Sequence, residues 1–242
     1  MTVSEAVSKI RGDSGTMVTL KLLRAGKDAF VTRIQRGVIN VPSITWEDKG
    51  EGTAYIRISR FGADTNESWA KVAREVNVKM PELDAIILDL RGNPGGYLQS
   101  AVYIAGEFFK NKPVVWQEDS LGNQTSLNTD RIGNFQSIPA IFVLVDEGSA
   151  SASEILAAAL RVNIKAKLIG AKSFGKGTIQ DTQDFKDGAG LHITIAKWLT
   201  PDKQWIHKVG LQPDVVVSVT EENITNKVDP QLDKAIELAK QI

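Results

Sequence analysis

The chain has 242 residues, 42% of them hydrophobic, enough for one large domain or one domain with a fragment attached. Lys and Arg total 29 and Asp and Glu total 29, so nothing supports a nucleic-acid or membrane-surface role that would rest on excess positive charge. The absence of cysteine excludes disulfides, thiol catalysis and cysteine-based zinc sites, and two histidines, His192 and His207, do not suit a His-rich metal site.

Taken in chain order, residues 2–11 predict a short amphipathic helix, with Thr2 and Glu5 as a capping box and Val3, Ala6, Val7 and Ile10 on one face. The start lacks the basic and apolar regions of a signal peptide, so the chain is expected to be cytosolic or a processed or truncated piece. Two strands, 17–24 and 29–36, flank a turn from Ala25 to Asp28. This helix and hairpin are too small to bury their own apolar face.

The pattern changes after Val41-Pro42. Residues 53–61 alternate as a half-buried strand, and 65–80 predict a helix with Trp69, Val72, Val76 and Met80 inward. Residues 83–91 and 140–146 are continuous apolar runs of the kind buried on both faces of a parallel sheet, and 166–171 is a third such strand. Helices are expected at 98–110 and 152–162, a strand starts at 113, 191–200 alternates as a long strand, and 229–241 is a closing helix. Strand–helix repetition from 53 to 171 implies βαβ units. No run of about 18 apolar residues is present to span a membrane.

Two strand-to-helix junctions stand out, because α/β sheets place their sites at the carboxyl ends of strands. The first, Asp89 to Gly96, reads DLRGNPGG; its glycines allow a tight turn and close approach to backbone N–H groups, or simply a turn. The second reads DEGSASASE, with serines at 149, 151 and 153. Ser151 and Glu154 fit a helix capping box, and one of the hydroxyls also suits a nucleophile; the two roles can overlap, since a helix N-terminus offers N–H groups to an oxyanion. A serine nucleophile needs a base. His192 and His207 lie in strand-like, apolar contexts that read as structural. Lys176, between Gly175 and Gly177 and near the apolar Phe174 and Ile179, is the other candidate. A lysine serves as a base in its neutral form, which burial promotes. Ser–Lys pairs are an established variant of triad chemistry. Alone, this segment reads more readily as a solvated loop lysine.

The segments LDLRGNPGG, SASASEI, FGKGTIQ, AKWLTP and VGLQPD occur in the order seen in the carboxyl-terminal processing peptidases, or tail-specific proteases, and the chain resembles that family over almost its whole length. The resemblance implies an α/β fold: a ClpP/crotonase-like core of βαβ units with a mixed sheet over 37–242, preceded at 1–36 by the C-terminal part of a PDZ domain. It implies a serine endopeptidase that cleaves proteins near their carboxyl termini through an acyl-enzyme. Ser151 is then the nucleophile and Lys176, 25 positions on, the general base, oriented by Gln180. Backbone N–H groups of Ala152 and Gly95, with Gly96 as its neighbour, form the oxyanion hole. Ser149 and Ser153 are structural. No metal or other cofactor is implied. Partners are peptides or unfolded proteins, with no nucleic acid and no membrane segment in this chain; the open edges of the PDZ fragment favour association into a homo-oligomer. The family places the full-length protein outside the cytoplasm, in the periplasm or cell envelope. Asp146-Glu147 departs from the family pattern and is expected to add negative charge beside the site. The incomplete PDZ segment lacks the loop that would grip a substrate carboxylate. Two other readings use the same features: a latent or inactive peptide-binding module of this fold, and a crotonase-type acyl-CoA enzyme, which has no use for a Ser–Lys pair.

Overall fold

A computed structural model describes residues 3–24, 26–38, 42–185 and 189–242. Thr2 of the expected capping box, Ala25 of the expected turn and Val41 at the expected boundary lie outside the described residues. The chain divides into two units, Met1–Pro42 and Ser43–Ile242.

In the first unit helix α1 (Val3–Ile10) precedes an antiparallel hairpin of β1 (Met17–Leu22) and β2 (Phe30–Gln35). Arg36 ties the three elements together. Its Nε donates to the Ile10 carbonyl at the helix C-terminus (2.8 Å), and its Nη1 donates to Thr16 Oγ1 (2.9 Å). A cation there meets the free carbonyls and the negative end of the helix dipole. Among the described residues none of this unit is buried, and Met17, Val31, Ile34 and Val38 are exposed.

The second unit begins with a hairpin of β3 (Ile44–Asp48) and β4 (Thr53–Ile58), followed by helix α2 (Thr65–Lys79) and strand β5 (Ala85–Asp89). Helix α3 (Leu98–Ala105), the hairpin of β6 (Pro113–Glu118) and β7 (Gln124–Asn128), strand β8 (Ala140–Val145) and helix α4 (Ala152–Ile164) come next. Then follow β9 (Lys167–Gly170), β10 (Thr178–Asp184), β11 (Gly190–Leu199), β12 (Val215–Val216), α5 (Glu221–Asn226) and α6 (Pro230–Ala239). Six strands form a mixed sheet in the order β12-β9-β8-β5-β4-β3, parallel except for the antiparallel edge strand β3. A four-stranded antiparallel sheet, β10-β11-β6-β7, stands beside it.

The continuous apolar runs follow from helices covering both faces of the mixed sheet. Ile86 and Leu88 of β5 and Val143 and Val145 of β8 pack with residues of α2, α3 and α4, while Ala85, Ile87, Phe142 and Leu144 pack against Ala235 and Ala239 of α6. Trp69, fully buried, meets Phe108 and Phe135 and donates its Nε1–H to Glu107 (3.0 Å). Four strands lie outside those expected from the sequence: β3, β7, β10 and the two-residue β12. The expected helix at 98–110 stops at Ala105 and continues as turns. Strand β11 departs from the half-buried expectation in its first part, where Leu191, Ile193 and Ile195 are all exposed. Among the described residues no helix is long and apolar enough to cross a membrane.

Candidate active site

Ser151 occupies the turn between β8 and α4 with φ +55° and ψ −115°, a backbone conformation uncommon for a residue with a side chain. Strain of this kind costs about 1–3 kcal/mol and persists where the surroundings over-determine it. Here they do. The Ala150 N–H donates to the Asn93 carbonyl (3.0 Å), and the Ser151 N–H donates to Glu154 Oε2 (2.9 Å). The second bond is the carboxylate half of the capping box expected from sequence.

The flanking serines join the two junctions. Ser149 Oγ donates to the Leu90 carbonyl and Ser153 Oγ to the Asn93 carbonyl, each at 2.9 Å, and both residues are buried. Asp146 does the same work with its carboxylate, whose Oδ1 accepts the N–H groups of Gly92 (2.8 Å) and Gly148 (3.0 Å). The Asp146 part of the charge expected beside the site is thus met by backbone donors. Neither Asp146 nor Glu147 lines the cavity described below.

Gly95 has φ +95°, and a Cβ there would lie 2.6 Å from the Ala150 carbonyl oxygen and 2.8 Å from Ser151 Cβ. Only glycine lets the two loops approach this closely. The Gly95 N–H donates to Asn93 Oδ1 (2.9 Å), while Asn93 Nδ2 donates to the Ile58 carbonyl (2.8 Å). Behind this loop, Asp89 is buried and accepts from Tyr55 Oη (2.6 Å), Arg57 Nη1 (2.9 Å) and Arg91 Nη2 (2.7 Å). Burial and the Asp89 charge push the Tyr55 phenol up to about 12. Arg91 reaches on to Asp229 at the start of α6 with Nη1 and Nη2, at 2.7 and 2.8 Å.

Lys176 lies in the loop between β9 and β10. Its N–H donates to Glu154 Oε2 (2.9 Å), and its carbonyl accepts the indole N–H of the buried Trp198 (2.7 Å). The flanking glycines are required by close packing on the 206–211 segment. A Cβ on Gly175 would lie 2.8 Å from the Gly210 nitrogen, and one on Gly177 would lie 2.8 Å from the His207 nitrogen. Phe174 is not part of an apolar wall around the lysine: it is 64% exposed and points away from the burial expected of it.

Glu154 joins these parts, a role that capping alone did not reveal. Fully buried, its Oε1 accepts from Ser173 Oγ (2.6 Å) and the Gly175 N–H (2.7 Å). Its Oε2 accepts from the Ser151 and Lys176 N–H groups. One carboxylate therefore fixes the backbone of both the serine and the lysine.

Ser151, Lys176 and Gln180 line a single cavity of about 320 Å³. Pro94, Tyr97, Leu98, Ile155, Ile179 and Trp198 supply its apolar walls, with Gly96, Thr178 and His192 completing it. A register shift between Ile179 and Gln180 lets both consecutive residues reach it. Gly96 faces the cavity; the expected donor Gly95 sits one residue behind, its N–H held by Asn93. His192, read from sequence as structural, is in the wall.

Residues 52–217 match the model of peptidase family S41. The chain belongs to peptidase family S41. Among S41-type relatives, the carboxy-terminal processing protease CtpB of Bacillus subtilis is 38% identical over 220 residues, covering 89% of this chain and 45% of that protein. The carboxyl-terminal-processing protease of Synechocystis is 36% identical over 246 residues, covering 98% of this chain and 57% of that protein. This chain therefore spans about half the length of the curated relatives it matches. Among solved structures, a photosystem II D1 C-terminal processing protease aligns with TM-score 0.66 at 27% identity, over 86% of this chain and 57% of that one. An S41 protease structure from Bacteroides fragilis aligns with TM-score 0.72 over 93% of this chain and 65% of that one; at 16% identity it speaks to the fold alone. The α/β core with its mixed sheet is thus that of family S41.

Proposed function

We propose that this chain carries the catalytic core of a serine endopeptidase that cleaves proteins near their carboxyl termini, using Ser151 and Lys176. The observation that carries the reading is the convergence of Ser151, Lys176 and Gln180 on one cavity, with Ser151 on a strained strand-to-helix turn. That the relatives are carboxyl-terminal processing proteases supports the substrate class.

In this reading neutral Lys176 takes the proton of Ser151 Oγ, and the alkoxide adds to the scissile carbonyl carbon. The oxyanion is held by the Ala152 N–H at the start of α4 and by an N–H of the Gly95-Gly96 turn. Gly96 is favoured for the second donor, because the Gly95 N–H already serves Asn93. Removing one such donor typically costs about 3–4 kcal/mol. Collapse breaks the C–N bond, and the Lys176 ammonium returns its proton to the leaving amine. Lys176 then takes a proton from water, which adds to the acyl ester, and collapse releases the acid and restores Ser151. Gln180 orients the lysine. Residues 1–36 are read as the C-terminal part of a PDZ domain, consistent with a hairpin that buries no residue of its own among those described.

Single replacement of Ser149, Ser151 and Ser153 by Ala tests the reading with an unfolded protein bearing an apolar carboxyl terminus. Cleavage is expected to vanish for Ser151→Ala and to persist, reduced, for the other two. Full activity in Ser151→Ala ends it.

A further inference from the structure

We propose that His192 makes the cavity selective for a carboxylate carried by the substrate near the cleaved bond. The inference rests on the reading of this cavity as the peptide cleft. Strand β11 runs antiparallel to β10, with His192 opposite Thr182 and Thr194 opposite Gln180. Opposed residues share a sheet face, and residues two apart on a strand do as well. His192 and Gln180 therefore lie on one face, and both line the cavity together with Trp198, which comes after the register shift. Leu191 and Ile193 alternate onto the opposite face of β11, so the imidazole stands on the cavity side of an otherwise apolar segment.

The composition of the wall selects the ligand chemistry. Among the described residues it contains two basic side chains, Lys176 and His192, and the amide of Gln180, but no Asp or Glu. Every other side chain there is apolar, aromatic or hydroxyl-bearing. An imidazole offers an N–H donor whether neutral or protonated, so it hydrogen-bonds a carboxylate in either form. Such charge-assisted bonds are about twice as strong as neutral ones. A basic group on a substrate side chain would find no counter-charge among the described residues of this wall. The carboxylate has two sources, an acidic side chain or the free carboxyl terminus of the chain being trimmed.

The test uses the full chain at one fixed pH and peptides of one apolar sequence. One pair carries Glu or Gln at successive positions around the cleaved bond, and the other ends in a free acid or an amide. Affinities are measured by fluorescence anisotropy on Ser151→Ala, so that binding is read without turnover, and cleavage is measured with Ser151 in place. A preference of about tenfold for the carboxylate-bearing member is expected. His192→Gln should reduce that ratio to near one, and His192→Lys should restore it. Loss of the Glu/Gln preference assigns the side chain as the source; loss of the acid/amide preference assigns the terminus. Equal affinities in both pairs, including no measurable affinity for any peptide, overturn the proposal. So does a preference unchanged in His192→Gln, or an equal fall for all four peptides. Cleavage persisting in Ser151→Ala would instead overturn the nucleophile assignment and leave the affinity comparison valid.

Discussion

At the scale of single residues, the carboxylate of Glu154 has more consequence than its place in a helix cap suggests. Each oxygen accepts two donors, Ser173 Oγ and the Gly175 N–H on one side, the Ser151 and Lys176 N–H groups on the other. Glu154→Gln keeps the shape but replaces one oxygen by an NH2 group, which faces either the Ser151 and Lys176 N–H groups or the Gly175 N–H, so at least one donor is left facing another donor. Leaving buried donors unsatisfied costs about 1–3 kcal/mol each. The expected outcome is a lower melting temperature and a kcat reduced by about a hundredfold, with KM much less affected, because the displaced groups act on the reacting bond. Wild-type kcat in this variant, measured by steady-state peptide cleavage, would show that the two loops hold their positions without it. Gly95→Ala strikes the same region from the other side. Its methyl would meet the Ala150 oxygen and Ser151 Cβ at a φ of +95°. Cleavage should fall below detection while circular dichroism still reports a folded sheet; an active Gly95→Ala would mean that the loops separate without cost.

At the scale of elements, the helix α6 is docked on the sheet by alanines and by one ion pair that reaches the glycine junction. Asp229 caps α6, accepting the Leu232 N–H (3.1 Å), and holds Arg91, which in turn holds Asp89. Partial burial opposes ionisation of Asp229, but the Arg91 hydrogen bonds outweigh it and its pKa lies below the ordinary aspartate value. A group depressed in the folded state contributes stability above its unfolded pKa of about 3.9 and loses it as pH falls through the folded value. Asn caps helices as well as Asp does, so Asp229→Asn isolates the charge. At neutral pH it should cost about 1 kcal/mol, allowing for solvent screening of a part-exposed carboxylate. Urea unfolding at neutral pH and again well below the unfolded pKa should show the gap between wild type and variant closing in acid. A gap that persists would assign the loss to packing. The same elements explain what could be read in advance. Strands β5 and β8 are legible because two helical layers make every position apolar. Strands β7 and β10 are polar sequences that extend only because a hairpin partner or a neighbouring edge accepts their backbone bonds, and that partner is invisible in local pattern. The serine and lysine segments were legible through their order along the chain. The reach of Glu154 across 22 positions to Lys176 was not, since nothing local to SASASE marks it. His192 misled for a related reason: its neighbours are apolar, but alternation puts them on the other face.

At the scale of the whole molecule, the two units differ in kind. Every residue of both hydrophobic clusters lies between Ile44 and Ala239. Unit Met1–Pro42 holds together through hairpin bonds and Arg36, and none of its described residues is buried. Free energies of local opening follow buried apolar contact, so the β1–β2 amides should exchange with solvent hydrogen much faster than those of β5, β8 and α4. That difference is measurable by native-state exchange with mass spectrometry. It also carries a prediction for a shortened chain that starts at Ser43. All the loops that bear Ser151, Lys176, Gln180, Gly96 and Glu154 lie beyond that point, as do the sheet and helices that position them. The shortened chain should therefore melt within a few degrees of the full chain and cleave a short, unstructured peptide at a comparable kcat. A shift of a few degrees corresponds to about 1 kcal/mol in a domain of this size, the scale expected from removing a unit without a core of its own. A melting point lower by ten degrees or more, or loss of cleavage in a chain that remains folded, would show that the first unit completes the second and that the catalytic parts are not self-sufficient downstream of Ser43.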